Sequence, residues 1–103
     1  MLLHENNFNQ ELSGKVALVD FWAAWCGPCN VLTPLINKLE EEFKGRALVA
    51  KVNVAEETAL ATKYDISAIP AILFFKDGKV VDRLVGIQDA KTIREKLEGL
   101  LNE

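Results

Sequence analysis

The chain has 103 residues, 50% of them hydrophobic, and a formal net charge of −3 at neutral pH. This length suits one buried core and no more, so a single domain over residues 1–103 is expected. The acidic balance and the absence of a basic run argue against a nucleic-acid partner, and no segment approaches the ~18 apolar residues of a membrane span.

Met1-Leu2-Leu3-His4-Glu5-Asn6 has neither a basic leader nor a sustained apolar stretch, so a cytoplasmic protein without a membrane anchor is expected. Leu2–His4 reads as a short edge strand, and Asn6 or Asn7 as the cap of a short helix carrying Phe8 and Leu12. Val16–Trp22 is almost wholly apolar, as a central parallel strand covered on both faces must be, with Asp20 its one anomaly. From Pro28 to about Phe43 the residues Leu32, Leu35, Ile36, Leu39 and Phe43 mark one face of a long helix, which Pro34 is expected to kink. Leu48–Val54 reads as a second parallel strand and Glu56–Tyr64 as a short helix, completing a strand–helix–strand unit. Ala71–Lys76 and Val80–Val85 flank Asp77-Gly78, a strong hairpin signal, so these two strands run antiparallel and the sheet is mixed. Asp89 is placed to cap a last helix whose apolar stripe is Ile93, Leu97, Leu100 and Leu101.

Both cysteines fall in Trp25-Cys26-Gly27-Pro28-Cys29, between the first long strand and the long helix. On the first turn of a helix, residues i and i+3 lie ~5–6 Å apart at Cβ, a modest adjustment from the ~3.5–4.5 Å a disulfide requires. The pair can therefore open and close. Cys26, at or next to the N-cap, meets free backbone N–H groups and the positive end of the helix dipole, which favour a thiolate. Cys26 is then the attacking sulfur and Cys29, one turn in, the resolving sulfur. Gly27 admits a close backbone approach, and Pro28 suits the first helical position. With no His or Lys between the cysteines the thiolate is only moderately stabilised, which favours a disulfide reductant over an oxidant or isomerase. A structural zinc site needs four Cys or His ligands, whereas this chain has Cys26, Cys29 and the distant His4. A purely structural staple would close a loop too short to constrain the unfolded chain much.

Val19-Asp20-Phe21-Trp22-Ala23-Ala24-Trp25-Cys26-Gly27-Pro28-Cys29, with Ile69-Pro70 downstream and Val85-Gly86 near the end, resembles the thioredoxin family along essentially the whole chain. The resemblance implies an α/β thioredoxin fold, a five-stranded mixed sheet flanked by four helices. It implies a protein-disulfide reductase with no bound cofactor, recharged from NADPH through thioredoxin reductase and acting on disulfide-containing client proteins as a monomer. By position, Asp20 resembles the family's buried carboxylate and Lys51 the strand lysine beside it. Desolvation in an apolar strand should raise the pKa of Asp20, which could then accept a proton from Cys29 through a water. Pro70 resembles the family's cis-proline opposite the cysteines, which leaves backbone free to pair with an extended client. Trp25, Ile69, Pro70, Gly86 and Ile87 would line the client groove, with Trp22 behind. Ala24, Asn30, Ala55 and Ala71 depart from the residues usual in the family, leaving thiolate tuning and partner docking more open and the groove slightly less polar. A redox-independent binding module on the same fold is the rival from another class; it would have no physical need for Asp20, Pro70 and both cysteines together.

Overall fold

Residues 1–103 are described by a computed structural model. Its centre is the apolar run Val16–Trp22, strand β1, whose five inner residues are all buried. β1 pairs in parallel with β2 (Leu48–Asn53) and antiparallel with β3 (Ala71–Lys76), and β4 (Lys79–Val85) lies outside β3, giving the order β2-β1-β3-β4. Strand alternation divides the core in two. Ala17, Val19 and Phe21 face Phe8 and Leu12 of helix α1 (Phe8–Leu12) and Leu60 of α3 (Thr58–Lys63). Leu18 faces Leu32, Ile36 and Leu39 of α2 (Gly27–Glu42) and Ile93 and Leu97 of α4 (Ala90–Leu101). Two covered faces explain why β1 reads as an unbroken apolar run rather than an alternating one. Each fully buried Leu, Ile or Phe adds about 1.5–3 kcal/mol of transfer free energy, and the side chains of both layers meet along this strand.

The mixed sheet has four strands, not the five that the resemblance implied. Leu2 forms only an isolated parallel bridge to Lys51, through bonds from Leu3 N to Lys51 O and from Lys51 N to Met1 O, both 2.8 Å. The local chain ends the pairing there. His4 N donates to Asn7 Oδ1 at 2.8 Å, while His4 O accepts from the N–H groups of Asn7 and Phe8, so the backbone turns away from β2. The same contact diverts the Asn7 side chain, and α1 has no side-chain cap.

Asp77 and Gly78 take φ of +51° and +79°, the two positive values that a tight two-residue hairpin turn needs, and β4 starts at Lys79, one residue before the expected Val80. α3 is shorter than the expected Glu56–Tyr64. Glu57, at its N-cap, turns its carboxylate to Glu5 N (2.8 Å) and His4 Nδ1 (3.1 Å) and gives α3 no side-chain cap. Pro34 lies inside α2, where it has no N–H to donate to the Asn30 carbonyl. No helix is long and apolar enough to cross a membrane.

Candidate active site

α2 begins one short loop after β1, and its first turn carries both cysteines. Cys26 is the N-cap, with extended backbone (φ −92°, ψ 108°), and Pro28 falls in the first turn, where a missing N–H costs nothing. The Cys26 Sγ accepts a hydrogen bond from Cys29 N at 3.2 Å. That donor, at the positive end of the α2 dipole, is one that also favours negative charge on sulfur. The two cysteines form a disulfide across a Cα separation of 5.3 Å. They are not equivalent. Cys29 is wholly enclosed, whereas Cys26 keeps 5% of its surface, so a partner sulfur can approach only Cys26. Beside it Trp25 is 75% exposed. The preceding loop is held by Asn30, whose Nδ2 donates to Ala24 O at 3.3 Å.

The opposite wall comes from the end of the α3–β3 connection. The Ile69–Pro70 peptide is cis, and the Ile69 carbonyl oxygen lies 3.9 Å from Cys26 Sγ. Ile69 packs on the cluster of Ala23, Cys26 and Cys29, and Pro70 is buried. Pro70 O accepts from Gly86 N at 2.8 Å, where φ of +88° favours glycine. This bond draws Gly86 and the exposed Ile87 to the same rim. Trp22 lies behind, packed on the same three-residue cluster, with no hydrogen-bond partner for its indole Nε1.

On β1, on the same strand face as Leu18 and so toward α2, Asp20 is 1% exposed and neither carboxylate oxygen has a hydrogen-bond partner. Burial pushes its carboxyl up to about 6, against an opposing pull from the Lys51 charge. Lys51 is the register partner of Asp20 on β2 and, two residues from Val49 on the same strand face, lies on the α2 side of the sheet. Its ammonium does not bond Asp20. Lys51 Nζ instead donates to Asn37 Oδ1, 2.8 Å away on the third turn of α2. Sequence reasoning did not find Asn37, since no spacing rule relates a residue on an exposed helix flank to a lysine on the following strand. Of the other residues singled out from the sequence, Cys26, Gly27, Pro28 and Cys29 form the N-terminus of α2, Trp25 precedes it, Ile69 packs on the cysteine cluster and Gly86 is tied to Pro70, while Asp20 and Lys51 lie opposite one another on β1 and β2.

A disulfide closed over one helical turn, presenting one sulfur and hiding the other at a helix N-terminus, can be opened by an attacking thiolate, and the dithiol so formed can reduce a second disulfide and close again. These features define a thiol–disulfide oxidoreductase. The thioredoxin family model matches residues 1–99. Among curated proteins the chain is 49% identical to thioredoxin 2 of Chlorobaculum tepidum, over 91% of this chain and 88% of that protein. It is 45% identical to a thioredoxin of Chlorobaculum thiosulfatiphilum, over 91% and 89% of the two chains, and 38% identical to one of Staphylococcus haemolyticus, over 91% and 90%. The chain belongs to the thioredoxin family, and it is a protein-disulfide reductase that cycles between dithiol and disulfide at Cys26 and Cys29.

Proposed function

We propose that the protein receives electrons from NADPH through a thioredoxin reductase and passes them to disulfide-containing client proteins in the cytoplasm, as a monomer. Cys26 thiolate attacks one sulfur of the client disulfide; a Cys26–client bond forms and the other client sulfur leaves as thiolate. Cys29 then attacks Cys26: the Cys26–Cys29 bond forms, the Cys26–client bond breaks, and the client departs reduced by two electrons. The proton lost by Cys29 in this second step goes to Asp20 through a bridging water. A carboxyl with a pKa of about 6 is mainly ionised at neutral pH yet basic enough to hold that proton, the match general-base catalysis needs. Lys51 stabilises the ionised form from the neighbouring strand. Trp25, Ile69, Gly86 and Ile87 contact the client, and the backbone about the cis Pro70 pairs with it as an added strand.

The observation that carries the assignment of roles is the unequal enclosure of the two sulfurs, which leaves Cys26 alone open to a partner. The test is coupled turnover. With a thioredoxin reductase, NADPH and a protein disulfide, catalytic amounts of this protein should drive NADPH oxidation in proportion to its concentration. A reductase able to reduce other thioredoxins but giving no NADPH consumption here would overturn the electron route.

A further inference from the structure

Asp20 and Lys51 stand directly opposite one another on paired strands, one a buried carboxyl with both oxygens unpartnered and the other a cation within its field. An unpartnered buried carboxylate draws any nearby donor strongly, because a charge-assisted hydrogen bond replaces lost hydration. Lys51 nevertheless gives its hydrogen bond to a neutral amide, Asn37 Oδ1, at 2.8 Å. From these contacts we infer that Asn37 is a positioning residue: it parks the Lys51 ammonium on the flank of α2 and so prevents a direct ion pair with Asp20. The inference rests on the proposed role of Asp20 as proton acceptor for Cys29.

The chemistry gives the device a use. An ion pair in contact would hold Asp20 ionised and make it a poor base, since an opposite charge within ~4–6 Å lowers a carboxyl by about 1–3 pH units. Complete removal of the cation would leave burial unopposed and push the Asp20 carboxyl further up. A parked ammonium is the intermediate setting, with a carboxyl that both takes and releases a proton near neutrality. The amide suits the task because it accepts a hydrogen bond without neutralising the cation. No other charge faces Asp20 from the elements packed on it: β3 presents Ile72 in register, and α2 presents Cys29 and Leu32 among its buried residues, without a charged side chain between Gly27 and Asn37. α4 faces this layer with Ile93 and Leu97.

The test uses Asn37→Leu, which keeps the size of the side chain, removes the acceptor and alters an exposed position. In the full-length oxidised protein, the carboxyl carbon of Asp20 is followed by NMR across pH in wild type, Asn37→Leu, Lys51→Met and the double variant. The freed ammonium should close on Asp20 and move its midpoint down by about one pH unit in Asn37→Leu. In the Lys51→Met background, Asn37→Leu should move it not at all. An unchanged or raised midpoint in Asn37→Leu overturns the inference, as does an equal shift with Lys51 absent, which would mean that Asn37 acts on Asp20 without the lysine. The pH profile of the resolving step, measured as release of client from the Cys26 mixed disulfide, separates the two claims. If the Asp20 midpoint moves as stated and the profile follows, both stand. If the midpoint moves and the profile does not, Asn37 is the positioning residue and Asp20 is not the proton acceptor.

Discussion

Asp20 is where this sequence departs from what its strand needs for stability. Every neighbour along β1 between Ala17 and Phe21 is apolar and buried, and a carboxylate there has lost its water without gaining a hydrogen bond. Its folded pKa, about 6 against an ordinary 3.8, means that the native state binds more protons than the unfolded chain between those values. Stability therefore falls as pH rises through that window and stays low above it. Asp20→Asn should raise the unfolding free energy of the oxidised protein most above pH 6, by about 3 kcal/mol from a shift of roughly two units, and little below pH 4. The same variant should slow turnover. Denaturant unfolding at several pH values, set beside reductase assays, reads both; equal stability at every pH would mean that Asp20 is solvated. Asp20 was legible in the sequence because a lone charge in an apolar run breaks the pattern. The hydrogen bond that controls its neighbour Lys51 was not, because it joins positions 37 and 51 through tertiary placement alone.

Elements whose signals were periodic or turn-specific appear where the sequence put them: β1 spans Val16–Trp22, the Asp77-Gly78 turn closes the hairpin, and α4 starts after Asp89. Those signals are local, so no distant contact had to be known. The expected edge strand at Leu2–His4 failed for an equally local reason that patterning cannot weigh, the competition of Asn7 for the His4 N–H. At α4 the cap can be tested directly. Asp89 Oδ1 accepts from Thr92 N at 2.8 Å, and its hydrogen bonding to Thr92 holds the Asp89 carboxyl below its usual range. A depressed folded pKa gives stability that is present above the unfolded carboxylate range and lost as pH falls through the folded value. Asp89→Ala should thus lower the thermal midpoint at pH 7, with the gap to wild type closing on acidification, whereas Asp89→Asn should retain most of the cap. A gap independent of pH between 2 and 7 would show that the ionised carboxylate is not what caps α4.

At the scale of the whole molecule, charge avoids the reacting face. The segments that build it, Phe21–Asn37, Ile66–Phe75 and Leu84–Gln88, contain no Asp, Glu, Lys or Arg, although the chain carries 12 basic and 15 acidic residues. Ion pairs lie elsewhere, as between Arg94 and Glu42 at 2.6 Å and Lys96 and Asp82 at 2.6 Å. Exposed Trp25, Val31 and Ile87 on these uncharged segments offer a partner apolar surface and little electrostatic steering. Reduction of an uncharged disulfide peptide should therefore change less than about two-fold in rate between about 0.02 M and about 0.5 M salt. A steep salt dependence with that peptide would mean that charges outside the rim take part in docking.

The most direct measurement of the central claim, that Cys26 attacks and Cys29 resolves, is trapping. Cys29→Ser and Cys26→Ser proteins are each reduced, mixed with a disulfide client, quenched with acid and analysed by mass spectrometry of the peptides. The enclosed Cys29 and open Cys26 predict a stable mixed disulfide through Cys26 in Cys29→Ser and none of note through Cys29 in Cys26→Ser, with turnover abolished in the latter. Accumulation through Cys29 in Cys26→Ser, with no adduct at Cys26 in the other variant, would contradict it.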